Sequence, residues 1–167
     1  MTEQRIVWQM PDGTIRVTIP VDSLLSLDEI AARTQAAAPE LRDAKRLPDC
    51  RAADLPSRRW RACWRADVAG RPGVDLPLAR AQRMAEIRAE RDRRLAASDG
   101  PMLREREGGT PPRVEALRAY RQALRELPNE LERSGTLDGL PDPAGLAAFT
   151  PAWPAEPIAL PRPDGGA

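Results

Sequence analysis

The chain has no histidine. That removes the usual general base at neutral pH and the commonest metal ligand, and it excludes a serine–histidine–aspartate triad. Cys50 and Cys63 are the only cysteines. Two thiolates without imidazole cannot complete a structural zinc site unless carboxylates are borrowed. One pair does not establish a disulfide either, so two thiols in a reducing cytoplasm are expected. Phe149 and Tyr120 stand alone of their kinds, which leaves Trp8, Trp60, Trp64 and Trp153 to supply most of the bulky aromatic surface. No run approaches the ~20 apolar residues of a membrane span, and no apolar signal run opens the chain, so a cytoplasmic protein is expected. An excess of one charge is missing too. With 26 basic and 25 acidic residues the net charge is +1, which gives no broad field to draw a polyanion.

What is present is charge in both signs, 31% of the 167 residues, and a modest 41% of apolar ones, many of them alanine. Lys45 is the only lysine; every other basic residue is arginine. The composition of a GC-rich gene accounts for that bias. Phosphate recognition by arginine forks is the weaker reading, because acids are interspersed throughout.

Residues 5–20 have the pattern of a β-hairpin. Ile6, Trp8 and Met10 alternate with polar positions, Ile15, Val17 and Ile19 do so on the return, and Pro11-Asp12-Gly13 supplies the turn. Ser26-Leu27-Asp28-Glu29 is a capping box opening a helix to about Ala38, with Leu27, Ile30, Ala31 and Thr34 inward and Pro39 as the stop. Residues 40–56 are ambiguous, with a short strand near Lys45 to Cys50. Ser57 caps a short helix, RRWRACWR, that aligns Trp60, Cys63 and Trp64. A turn at Asp67–Asp75 follows, and Val74 and Leu76 suit one short strand.

Pro77 fits the first turn of a long helix to about Ser98, and Gly100-Pro101 ends it. Residues 101–111 read as a loop. Thr110-Pro111 opens a second helix that Pro128 closes. Each helix has one apolar stripe: Met84, Ile87, Arg91 and Leu95 in the first, and Val114, Leu117, Arg121, Leu124 and Leu127 in the second. Neither stripe can satisfy itself. Arg91 and Arg121 lie within them, and two readings stay open. Either both sit at the edge, or an arginine pairing decides how the helices meet. Beyond Glu130, prolines at 141, 143, 151, 154, 157, 161 and 163 indicate an extended tail in which Phe149 and Trp153 anchor against the helices and the last ten residues are disordered.

The expected fold class is therefore α+β. A small N-terminal β-hairpin-plus-helix unit spans 1–76, a two-helix antiparallel hairpin spans 77–128, and a Pro/Gly-rich extended tail spans 129–167. No catalytic, cofactor-binding or metal residue is expected. Glu86 and Glu90 read as a solvated pair on a charged face, as does the cluster Arg83, Arg88, Arg91, Arg93 and Arg94. Cys63 between two tryptophans reads as core. Gly108-Gly109 lacks the spacing of a phosphate loop. The arginine–tryptophan mixture in RRWRACWR can stack on bases, but burial of the rings under arginine stems is favoured.

Several stretches resemble a known family. They are the Pro11-Asp12-Gly13 turn, Asp54-Leu55-Pro56 before Arg61-Ala62-Cys63-Trp64, and Val74-Asp75 leading to Ala79-Arg80. Beyond them come Arg91-Asp92-Arg93-Arg94-Leu95, then Ala119 to Pro128 (AYRQALRELP), and Trp153-Pro154. Together these are similar to the tail-assembly-chaperone-type domain of tailed bacteriophages, most closely over 79–128. Gly100-Pro101-Met102 departs from that family's usual tryptophan and threonine. The resemblance implies a non-enzymatic assembly factor of a phage or prophage, without cofactor, whose partner is a tail-fibre or other tail protein. A structural subunit of the mature tail is the alternative, and a small arginine-rich nucleic-acid binder the less favoured third. A homo-oligomer is compatible; a membrane partner is not expected. On this reading the partner-binding residues are Met84, Ile87, Arg91, Leu95, Leu117, Tyr120, Arg121 and Leu124, and the place of action is the host cytoplasm, with retention in the virion an option.

Overall fold

A computed structural model describes residues 3–21 and 24–157. The fold is α+β. Its contacts divide the chain into two compact units, Met1–Ala79 and Arg80–Ala167.

The first unit is built on β1 (Gln4–Gln9), which pairs antiparallel with β2 (Ile15–Thr18) in the register Val7↔Val17. The expected turn forms. Gly13 takes a positive φ of 81°, and Asp12 Oδ1 accepts from Thr14 N–H at 2.9 Å and Thr14 Oγ1 at 2.6 Å. The free edge of β1 is covered twice. β3 (Lys45–Arg46) pairs with Trp8 and Gln9, and β4 (Cys50–Arg51) with Gln4 and Arg5. The single strand expected near 45–50 is thus two, because Pro48 between them has no N–H for a ladder. Burial also exceeds simple alternation. Ile6 and Trp8 face a core of Ala31, Leu41 and Ala44, yet Val7 on the opposite face is equally buried.

The capping box opens α1 (Leu27–Ala37) as read from the sequence. Ser26 Oγ accepts from Glu29 N–H, and Glu29 Oε2 accepts from Ser26 N–H at 2.8 Å. Ala31 is buried beneath the sheet, and Leu27 and Ile30 pack at its margin. RRWRACWR is not one α-helix. Arg58–Cys63 is a 3-10 helix, and Trp64 opens β5 (Trp64–Ala66). The backbone kinks at Trp60, whose φ of −99° and ψ of 22° are not helical, so no single helical face aligns it with Cys63 and Trp64. Trp64 reaches the interior from the strand instead, and all three are nearly inaccessible. β5 pairs with β6 (Pro72–Val74) across a turn in which Asp67 Oδ1 accepts from Ala69 and Arg71 N–H. Leu76, expected in a strand, begins α2 (Leu76–Ala97) instead, where Asp75 accepts from Leu78 N–H at 3.0 Å.

In the second unit three expectations are corrected. Gly100-Pro101 does end α2, but residues 99–108 are helical, forming α3 (Asp99–Gly108). A proline in a helix's first turn lacks only an N–H that would have had no partner, so the same pair that stops one helix starts the next. Pro128 does not close α4 (Pro111–Ser134). It lies inside that helix, nearly fully buried, and the helix stops at Gly135 in the left-handed conformation, φ 62°. Burial of the ring offsets the lost backbone bond, and glycine is the residue that can adopt the left-handed cap. The stretch after Glu130 is not wholly extended. Asp142 caps a short α5 (Pro143–Ala148), accepting from Gly145 N–H at 2.7 Å, with Pro143 at a tolerated first position. Residues 135–142 link the two helices through turns, and the described residues after α5, 149–157, lack regular structure. The disorder expected of the last ten residues concerns a stretch outside the described residues.

Glu29 yields a test in acid. The Ser26 backbone N–H, and then its hydroxyl, hold the Glu29 carboxyl below its ordinary value. A lowered carboxyl contributes stability that is complete above the unfolded value of about pH 4.3 and is lost as pH falls through its folded value. In thermal melts monitored by circular dichroism, Glu29→Ala should melt below the parent at neutral pH, and the gap should close on acidification below that range.

Candidate functional site

The second unit holds the residues singled out in the sequence, and its cross-helix contacts place them. Arg88 of α2 meets Glu132 of α4, Arg121 meets Leu95, Ser98 and Asp99, and Arg113 meets Glu105 at 3.1 Å. Residue numbers rise on one side as they fall on the other, so α2 and α3 together run antiparallel to α4.

The apolar stripes face each other along this pair. Met84 and Tyr120 are largely buried, Ile87 is 1% exposed, and Leu117 and Leu124 are 0% exposed; Leu95 is half-buried. These side chains hold the helices together and do not form an outward apolar surface. Two one-sided helices from the same chain satisfy one another first. Among the described residues from Arg80 onward, Leu103 is the one large apolar side chain that is strongly exposed.

The two arginines within the stripes resolve differently. Arg121, its side chain 17% exposed, reaches the end of α2. It donates to the Leu95 carbonyl at 3.1 Å and to Ser98 Oγ, and pairs with Asp99 at 2.7 Å. That is the pairing reading: a guanidinium set against the negative end of a helix and a carboxylate. Arg91 takes neither reading outright: its side chain is 22% exposed with Nε buried, and it pairs with its neighbour Asp92 at 2.7 Å.

The basic cluster on α2 is not simply a solvated face. Arg80 donates to the carbonyls of Leu137, Asp138 and Leu140 at 3.1, 2.9 and 3.0 Å, closing the turn after α4. Arg83, 15% exposed, pairs with Glu86 at 2.8 Å and donates to the Phe149 carbonyl at 2.7 Å. Arg94 donates to Glu90 at 2.9 Å, lies 4.6 Å from the centre of the Trp153 ring and 3.7 Å from Glu156. Sequence reading did place Phe149 and Trp153 against the helices. It missed the arginines that hold them, whose only signal was a three- to four-residue recurrence on one helix. Tyr120 sits close by. Burial, and then the charge of Glu156, push its phenol above its ordinary value.

Among the described residues no three metal-ligating side chains converge. Cys50 and Cys63 are thiols, not a disulfide. A hollow in the first unit, lined by Asp49, Cys50, Arg51, Asp54, Asp67 and Arg71, spends its charges internally, since Arg51 binds Asp54 and Arg71 binds Asp67. Among the described residues no helix is long and apolar enough to cross a membrane.

The second unit is thus a helical packing module clasped by arginines. Residues 84–158 match the family model described as phage tail assembly chaperone protein. Over that stretch, a little under half of its length, the chain is similar to that family, as the resemblance implied. Neither the curated proteins nor the solved structures returned a match.

Two substitutions test the seam. Leu117→Asp or Leu124→Asp should cost about 3 kcal/mol or more by stranding a charge among apolar neighbours, read as a fall in denaturation midpoint; a midpoint equal to the parent's would show the stripe misassigned. Arg121→Ala should cost about 1–3 kcal/mol through the lost charged hydrogen bonds at the end of α2, with faster amide exchange across residues 95–102.

Proposed function

We propose that this chain is a non-enzymatic phage or prophage tail assembly factor that binds a tail-fibre protein in the host bacterial cytoplasm while the tail is built. The observation that carries the reading is the chaperone-family match, which starts at Met84 and runs through both long helices to the segment beyond Trp153. The physical arrangement supports a binding role over a chemical one, since charged side chains are spent on helix ends and on one another.

On this reading Met84, Ile87, Leu95, Leu117, Tyr120, Arg121 and Leu124 serve the client indirectly. They hold the two antiparallel helices at a fixed spacing, while Arg91 pairs within α2 with Asp92. The client then meets the outside of the pair.

Co-expression tests this directly. With the tail-fibre protein encoded beside it, the chain should raise the soluble fibre yield severalfold and co-elute with it on gel filtration. Unchanged yield and separate elution would overturn the reading. Protein inventory of purified particles adds a second axis: a chaperone is lost from the mature tail, whereas a protein retained at fixed stoichiometry is a structural subunit.

A further inference from the structure

With the apolar stripes turned inward, the second unit still carries one segment of a different kind. Residues 149–157 have no regular structure, and the one backbone bond within them runs from Trp153 N–H to the Pro151 carbonyl at 2.9 Å. Prolines at 151, 154 and 157 preset an extended course. Two arginines of α2 hold this strap. Arg83 donates to the Phe149 carbonyl at 2.7 Å, and Arg94 lies under the Trp153 ring at 4.6 Å and beside Glu156 at 3.7 Å. Pro151 is buried, but Phe149 and Trp153 are only half-buried.

The cradle does not depend on the strap for its shape. Arg83 is braced by Glu86 at 2.8 Å and Arg94 by Glu90 at 2.9 Å, both within α2. Arginines braced in this way keep their positions when the strap leaves, and a preorganised surface loses little freedom on rebinding. What fills the cradle also defines what fits it: an aromatic ring for the cation, prolines that lower the ordering cost, and a carboxylate three residues after the ring. The family match, residues 84–158, includes Arg94 and the strap, and Arg83 lies one residue before it.

We propose that this cradle on α2, with Arg83 and Arg94 at its centre, is a peptide-binding site, and that Phe149–Glu156 is its resident stand-in. Its ligand on the client is an extended segment of the same chemistry, an aromatic residue between prolines followed by an acid. The strap keeps the site closed until such a segment displaces it. The proposal rests on the tail-assembly reading for the client's identity, but the existence of the site is tested without a client.

The probe is a fluorescein-labelled synthetic peptide with the sequence of residues 148–157, titrated into the full chain by anisotropy. Trp153→Ala, which loosens the resident strap, should bind the peptide at least tenfold more tightly than the parent. Adding Arg94→Ala should remove that gain, and a peptide with alanine for its tryptophan should not bind. No binding to a Trp153→Ala chain that retains its helical circular dichroism, or equal binding to parent and variant, overturns the site. Should Trp153→Ala fail to fold, Glu156→Ala is the second opened variant. Hydrogen exchange on the parent then gives a separate answer. The amides of Ala152 and Trp153 should exchange at least a hundredfold faster than those of Leu117 and Leu124, and equal rates mean the strap opens only with the whole unit, which overturns the proposal. A fibre protein that binds the parent and Trp153→Ala equally, while the peptide behaves as expected, overturns the assigned ligand and leaves the tail-assembly reading standing. A fibre protein that binds neither overturns that reading and leaves the site standing.

Discussion

Arg121 puts a guanidinium into an apolar seam, and much of the second unit follows from how that charge is satisfied. A buried cation needs acceptors at fixed distances and angles. Here they are the Leu95 carbonyl, the Ser98 hydroxyl and the Asp99 carboxylate, all at the point where α2 stops. The helix must therefore end there, and α4 must lie antiparallel to it in one register. Ser98, wholly buried, is tolerated because its hydroxyl serves both Arg121 and the Leu95 carbonyl. Arg88 with Glu132 repeats the logic toward the other end of the pair, and Arg80 gathers the three carbonyls beyond α4. Each of these roles uses the flat, multiply donating head of arginine, which lysine cannot reproduce.

The consequence for function is that the most apolar surface is consumed in folding. A unit that hides its leucines resists self-association, and any partner it binds must be recognised by other means. The described outer surface from Arg80 onward offers braced arginines, one exposed leucine and a proline-rich strap lying over a cation. Recognition through such a surface is weaker per unit area than burial of a broad apolar face.

Much of this was legible one element at a time. The Pro11-Asp12-Gly13 turn, the Ser26–Glu29 capping box, the opening of α4 at Thr110-Pro111 and the stripes of α2 and α4 are local patterns, and each formed as read. The errors are local too, and they share a cause. Proline and glycine are ambiguous punctuation. Gly100-Pro101 ends one helix and starts the next, Pro128 rides inside a helix because its ring is buried, and Pro143 opens a turn of helix in what looked like an extended tail. Whether a proline breaks a helix depends on whether its missing N–H had a partner and on what covers its ring. Trp64 was misplaced because the preceding segment kinks at Trp60 and the chain turns into β5 at Trp64.

The sequence by itself determined the α+β class, the two long amphipathic helices, the absence of histidine chemistry and the likeness to tail assembly chaperones. All of these reside in composition, in spacing within one element, or in short motifs. Only the tertiary structure decided that both stripes are buried, that Arg121 reaches across to the end of α2 while Arg91 pairs with its neighbour Asp92, and that Arg83 and Arg94 clasp a strap more than fifty residues away. An amphipathic helix states that it needs a partner surface, and a charged residue states that it needs an acceptor. Neither names which one, because the choice is made by the packing of segments far apart in the chain.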